Sequence, residues 1–168
     1  MRGYWMTLGM LAIAAPLRAQ DSLLTQVHNL AGPRVGFGAA LTPDGRQTLR
    51  DSRVSSPYSQ FGWQFEQRAF SQPGGLTFVV EETVLIGAID QGKVIPSVVA
   101  TMGVRTPSGW EAGLGPELSV HGVAVAGVVG RSVRYGNVAI PISLMASSLT
   151  REPHITFLVG FAVESIRR

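Results

Sequence analysis

The chain has 168 residues, 15% of them charged, with 14 Lys plus Arg against 11 Asp plus Glu and no cysteine. So small a net charge offers no basic face for a nucleic acid, and without thiols the chain has neither a disulfide framework nor a thiolate metal site. A mean hydropathy of +0.22 is high for a soluble chain, yet no run beyond residue 19 approaches the roughly 20 apolar residues of a membrane-spanning helix.

Residues 1–19 have the order of a signal peptide: Arg2, the apolar run GYWMTLGMLAIAAPL, Pro16 and a small Ala19 before the expected cut. Removing them leaves about 149 residues, the size of one domain. It also takes Arg2 and Arg18 from the formal charge of +3, leaving about +1. Residues 20–32, which include DSLLTQVHNLAG, form a lead-in, either a short helix or a frayed segment. Residues 33–168 make up the predicted β-barrel domain.

From there the apolar residues fall on alternate positions between Gly- and Pro-bearing turns, the period of strands. Eight strands are expected, at about 34–42, 59–69, 76–89, 93–105, 110–118, 122–133, 137–147 and 154–164. The turn in AIDQGKV, with Gly in the left-handed position, pairs Ala88 with Val94, Ile86 with Pro96 and Val84 with Val98. Pro107-Ser108-Gly109 is a turn of the same kind. It sets Arg105 against Glu111, Val104 against Ala112 and Met102 against Leu114. Leu118 is expected opposite Val123, and a short turn near Tyr135-Gly136 sets Val133 against Val138 and Val129 against Ile142.

Each of these registers keeps the large apolar residues on one face, and a slip by one residue would mix the faces. The apolar face carries Val84, Ile86, Val98, Met102, Leu114, Val129, Val138, Ile140, Ile142, Phe157 and Phe161. On the other face are Ser97, Thr101, Gly103, Gly113, Gly115, Gly122, Ala124, Ala126, Gly130, Ala139 and Ser143. Such small residues make a poor solvated surface but suit the narrow interior of a barrel of about eight strands. The expected fold is therefore all-β, an antiparallel up-and-down meander closing fully or with an open edge, its bulky side toward lipid. About ten residues per strand, at roughly 3.3 Å each and about 45° of tilt, match an apolar band of about 25 Å.

In that orientation Arg105 and Glu111 point inward as an ion pair, with Glu81, Glu117 and Glu66 on the same face as a candidate lumenal charge network. Glu81 and Glu82 are strand neighbours on opposite faces, so they do not make a two-carboxylate hydrolase. Glu82 falls on the apolar face, where it is a misfit. His28, His121 and His154 are too scattered for a metal-ligand spacing and are expected in loops or at the surface. No catalytic group, metal or cofactor is inferred.

The eight-strand plan, signal peptide and apolar outer face resemble small bacterial outer-membrane β-barrel proteins. More narrowly, GVRTPSGWEAGLGPELS followed by GNVAIPI and ITFLVGF is similar to an uncharacterised group of exported bacterial proteins. The resemblance implies an outer-membrane location, membrane lipid as the main partner, and passage through export and outer-membrane assembly machinery. Some barrels of this size are lipid esterases using a His and a Ser; here HIT at residues 154–156 offers only Thr156. The expected function is a structural or interaction barrel or a narrow pore, without catalysis. The alternative is a periplasmic or secreted β-sandwich or lipocalin-like barrel that binds an apolar ligand.

Overall fold

The computed structural model describes residues 30–71, 74–120, 122–148 and 153–163. The expected signal peptide and residues 20–29 of the lead-in lie outside them. Strands β1 (Gly32–Ala40), β2 (Tyr58–Ser71), β3 (Thr77–Gly87), β4 (Ile95–Arg105), β5 (Trp110–Ser119), β6 (Gly122–Tyr135), β7 (Val138–Ser148) and β8 (His154–Gly160) each pair antiparallel with the next. The sheet closes by pairing β1 with β8 from Arg34↔Gly160 to Ala40↔His154. A two-residue strand β9 (Ala162–Val163) continues β8 along β7 in unchanged register, with Ile142↔Val159 followed by Ala139↔Ala162. The molecule is thus an eight-stranded antiparallel barrel. Pro96, Pro116 and Pro141 lie within strands without opening it.

The strands are tilted. Crossing them at right angles from Glu81, one direction runs through Thr101, Gly115, Ala126, Ser147 and His154 to Ala40; the other runs through Glu66 to the level of Leu30. The circuit therefore closes ten residues out of step, the difference between positions 30 and 40. Over eight strands about 4.8 Å apart, with a rise of about 3.3 Å per residue, that offset gives a tilt of roughly 40°.

The turns set the registers. Thr106 N–H donates to the Trp110 carbonyl at 2.8 Å and Gly109 N–H to the Thr106 carbonyl at 3.0 Å. Gly109 takes φ 86°, where a side chain is disfavoured, and Arg105 consequently faces Glu111. Val84↔Val98, Ile86↔Pro96 and Leu118↔Val123 also pair as expected. One register differs: the β6–β7 hairpin turns on Gly136-Asn137 with Tyr135 opposite Val138, so Val133 faces Ile140 and Val129 faces Leu144. The shift is two residues, which leaves both faces unchanged.

Helix α1 (Pro43–Asp51), between β1 and β2, was not expected. The Thr42 hydroxyl oxygen accepts from Gly45 N–H at 3.1 Å, and Pro43 stands at the start where its missing N–H costs nothing. The only large apolar residue of the helix, Leu49, is buried in a cluster with Val54, Tyr58 and Ala88. This cluster seats the helix at the barrel rim where β1 ends and β2 begins.

The bulky aliphatic and aromatic residues lie on the outside: Val84, Ile86, Val98, Met102, Leu114, Val129, Val138, Ile140, Ile142, Phe157 and Phe161 are all exposed, Met102 by 73% and Leu114 by 67%. Large apolar chains also exist inside. Leu85, Val99, Ala126, Met145 and Leu158 are buried against one another across the lumen.

Candidate functional site

Inward positions recur every second residue, so each strand lists the lumen from one rim to the other. Along β4 the order is Arg105, Gly103, Thr101, Val99, Ser97; along β7 it is Ala139, Pro141, Ser143, Met145, Ser147. Three layers result. A charged layer lies nearest the rim where β4 ends, the Leu85–Leu158 cluster occupies the middle, and a polar layer lies under α1.

Arg105 is the hub of the charged layer. Its guanidinium donates to Glu111 Oε2 from Nε at 2.8 Å and from Nη2 at 2.5 Å. It donates to both oxygens of Glu66, at 2.8 and 2.7 Å, and to Glu81 Oε1 at 3.0 Å. Three carboxylates from β2, β3 and β5 thus converge on one cation from β4, in a fork geometry that Arg supplies and Lys could not. The pair read from the hairpin alone is one arm of a brace across four strands.

Sequence reasoning missed three participants. Arg34 on β1 is 1% exposed, donating from Nε to Gln64 Oε1 at 3.0 Å and from Nη2 to the Leu30 carbonyl at 2.6 Å. Gln64 in turn donates to Glu81 Oε1 at 2.7 Å, joining Arg34 to the Arg105 cluster. Leu30 N–H donates to Glu66 Oε2 at 3.1 Å, so the backbone entering β1 is tied to the same group. The alternation of GPRVGFG would have placed Arg34 inward once Val35 and Phe37 were put outward.

Glu117 belongs elsewhere. It shares the inward face, as expected, but lies in the polar layer on the far side of the apolar cluster. There it accepts a hydrogen bond from the Ser147 hydroxyl and sits 3.2 Å from His154 Nε2. His154 is therefore no loop histidine: it opens β8 and turns inward beside Ser147, its partner on β7. His28 and His121 fall outside the described residues. Thr156 is fully buried in the lumen. A cavity of about 30 Å³, room for a water-sized body, lies between α1 and this layer, bordered by Leu49, Tyr58, Gln60, Glu117 and His154.

At the outer surface, Arg131 stacks over the Trp110 ring at 5.3 Å from its centroid, near the rim of the charged layer. Glu82 points outward from the middle of β3. No family model, curated protein or solved structure matches the chain.

Proposed function

We propose that this chain is an outer-membrane β-barrel that serves as a structural or interaction protein and does not conduct. The observation that carries the reading is the sorting of side chains. The outer wall holds nearly all the bulky aliphatic and aromatic groups, while two guanidinium groups and four carboxylates are paired inside. Water gives no reason for that inversion; hydrocarbon does, because it rewards an apolar exterior and forces polar groups to satisfy one another.

The narrow-pore variant is disfavoured by the Leu85, Val99, Met145 and Leu158 layer, which fills the middle of the lumen. A lipocalin-like role would need an apolar chamber for the ligand. Here the Val, Ile and Phe face is outside, and the apolar groups inside already pack on one another.

The processed protein is expected to require detergent for extraction and to migrate differently on gels before and after boiling. A monodisperse chain in plain buffer would sink the proposal.

A further inference from the structure

Glu82 is the sixth of the eleven residues of β3, at the middle of the strand, and its side chain is exposed on the outer wall. Its strand partners are Phe65 on β2 and Ala100 on β4, the latter also the middle residue of its strand. Trp63, Val80, Val84, Val98 and Met102 are the apolar neighbours around it, and Gln67, opposite Val80, is the polar one. Among the described residues Glu82 has no hydrogen-bond or ionic partner, although every other carboxylate on the barrel strands has one. On the membrane reading proposed above, on which this inference rests, a carboxyl group in mid-band faces hydrocarbon, and neighbouring Gln67 makes no hydrogen bond to it. Ionisable groups at that depth are costly and characteristically serve a function.

We propose that the wall formed by β2, β3 and β4 around Glu82 is the contact surface between two copies of this chain, related by a twofold axis along the membrane normal, with the two Glu82 carboxyl groups facing each other. One observation, together with symmetry and hydrogen-bond chemistry, favours a second copy in this arrangement. A twofold axis along the normal returns each residue at its own depth, so mid-band Glu82 meets mid-band Glu82. The mid-strand outward residues elsewhere on the barrel are Val35, Leu114, Val129, Ile142 and Phe157, so a copy docked by any other wall would offer the carboxyl group only apolar atoms. Two carboxyl groups that share a proton hydrogen-bond to one another, as no pair of guanidinium groups can.

The composition of the wall suits the role. Trp63 and Phe65 supply large rigid surfaces of the kind enriched at interface centres. Ala100, directly beside Glu82, adds little bulk and lets the walls approach.

The test uses the full-length chain, purified and folded in detergent. Because the native chain has no cysteine, Ala100→Cys places a single thiol beside Glu82 without altering it. Oxidation is expected to yield a covalent dimer, whereas Leu144→Cys on β7, four strands from Glu82 in either direction, yields none. In the Ala100→Cys background, Glu82→Leu is expected to raise the dissociation constant of the dimer up to about tenfold and so lower the cross-linked fraction, while preserving heat-modifiable migration, since one buried polar contact in a membrane has at most about that effect. Glu82→Gln, whose amide also both donates and accepts, should retain most of the dimer.

A folded native chain that light scattering finds monomeric would overturn the inference and leave the membrane reading standing. So would equal cross-linking at positions 100 and 144, or a dimer unaffected by Glu82→Leu. Recovery of the chain in plain buffer would instead overturn the membrane reading, and this inference with it.

Discussion

Arg105 illustrates what a single buried cation does when three strands send it carboxylates. Replacing it by Leu leaves Glu66, Glu81 and Glu111 converging with no direct counter-charge, since Arg34 reaches Glu81 only through Gln64, and the loss is expected to be about 3–5 kcal/mol, read as a lower denaturant midpoint in detergent. A change under about 1 kcal/mol would mean that the cluster is as weak as an exposed surface pair. The hairpin contact with Glu111 was legible because turn type and side-chain alternation fix it locally. Alternation also put Glu66 on the same inward face, but its direct contact with Arg105, and the Arg34–Gln64 link, were not legible. They arise only after β1 and β2 have been brought round beside β3, and nothing in the spacing of residues 34, 64, 66 and 105 announces that.

Asp90, in the turn Ile89–Gln91, offers a pH test outside the wall. The Ser59 hydroxyl and amide both donate to its carboxylate, and hydrogen bonding, the hydroxyl first, holds that carboxyl below the usual range. A lowered folded-state value means the linkage favours the folded turn above the ordinary carboxylate range of about 4 and is lost as pH falls through the lowered value. Exchange protection of the Ser59 amide is therefore expected to persist to below about pH 4 and then fall, and to be reduced at neutral pH in Asp90→Ala. Protection independent of both pH and Asp90 would show that the turn stands without this bond.

At the scale of elements, alternation carries nearly all the information. Ile142 and Ser143 are adjacent on β7 and point to opposite sides, so they form an internal control. Ile142→Arg is expected to cost about 2–4 kcal/mol or to block membrane assembly, whereas Ser143→Asp, which faces the lumen, should be better tolerated. Folding yield into detergent micelles compares the two, and equal damage would count against the assignment of faces. The strands were readable because each turn agreed with each apolar pattern. The β6–β7 register differs by two residues because alternation fixes parity but not the position of a turn, and the two-residue turn sits at Gly136-Asn137, one position further along the chain than expected. Helix α1 was hidden for the opposite reason: TPDGRQTLRD carries one large apolar residue, Leu49, and so has no helical apolar period, although Thr42 and Pro43 did mark a helix start.

For the whole molecule, the layering of the lumen matters more than any one contact. The Leu85–Leu158 layer separates the Arg105 cluster from Glu117 and His154, so the two polar sites share no partner. Stability losses from Arg105→Leu and Glu117→Gln are expected to add within about 0.5 kcal/mol, and a larger coupling energy in the double variant would mean that the layer does not insulate them. The same layer predicts no ion current from the native chain in a planar bilayer, with leak appearing when Leu85 and Met145 are both replaced by Ser. A steady native conductance would remove the case for a sealed interior.

The pairing of β1 with β8 joins the two strands farthest apart along the chain, and it is the step that eliminates every free strand edge. Any stretch ending before β8 would carry two unpaired edges, each a template for another chain. Closure also depends on the most non-local contact in the fold, whose loop entropy must be met before it is rewarded. The ring can therefore complete only late in folding, and for this protein escorting the open sheet until the seam is made matters as much as the stability of the closed barrel.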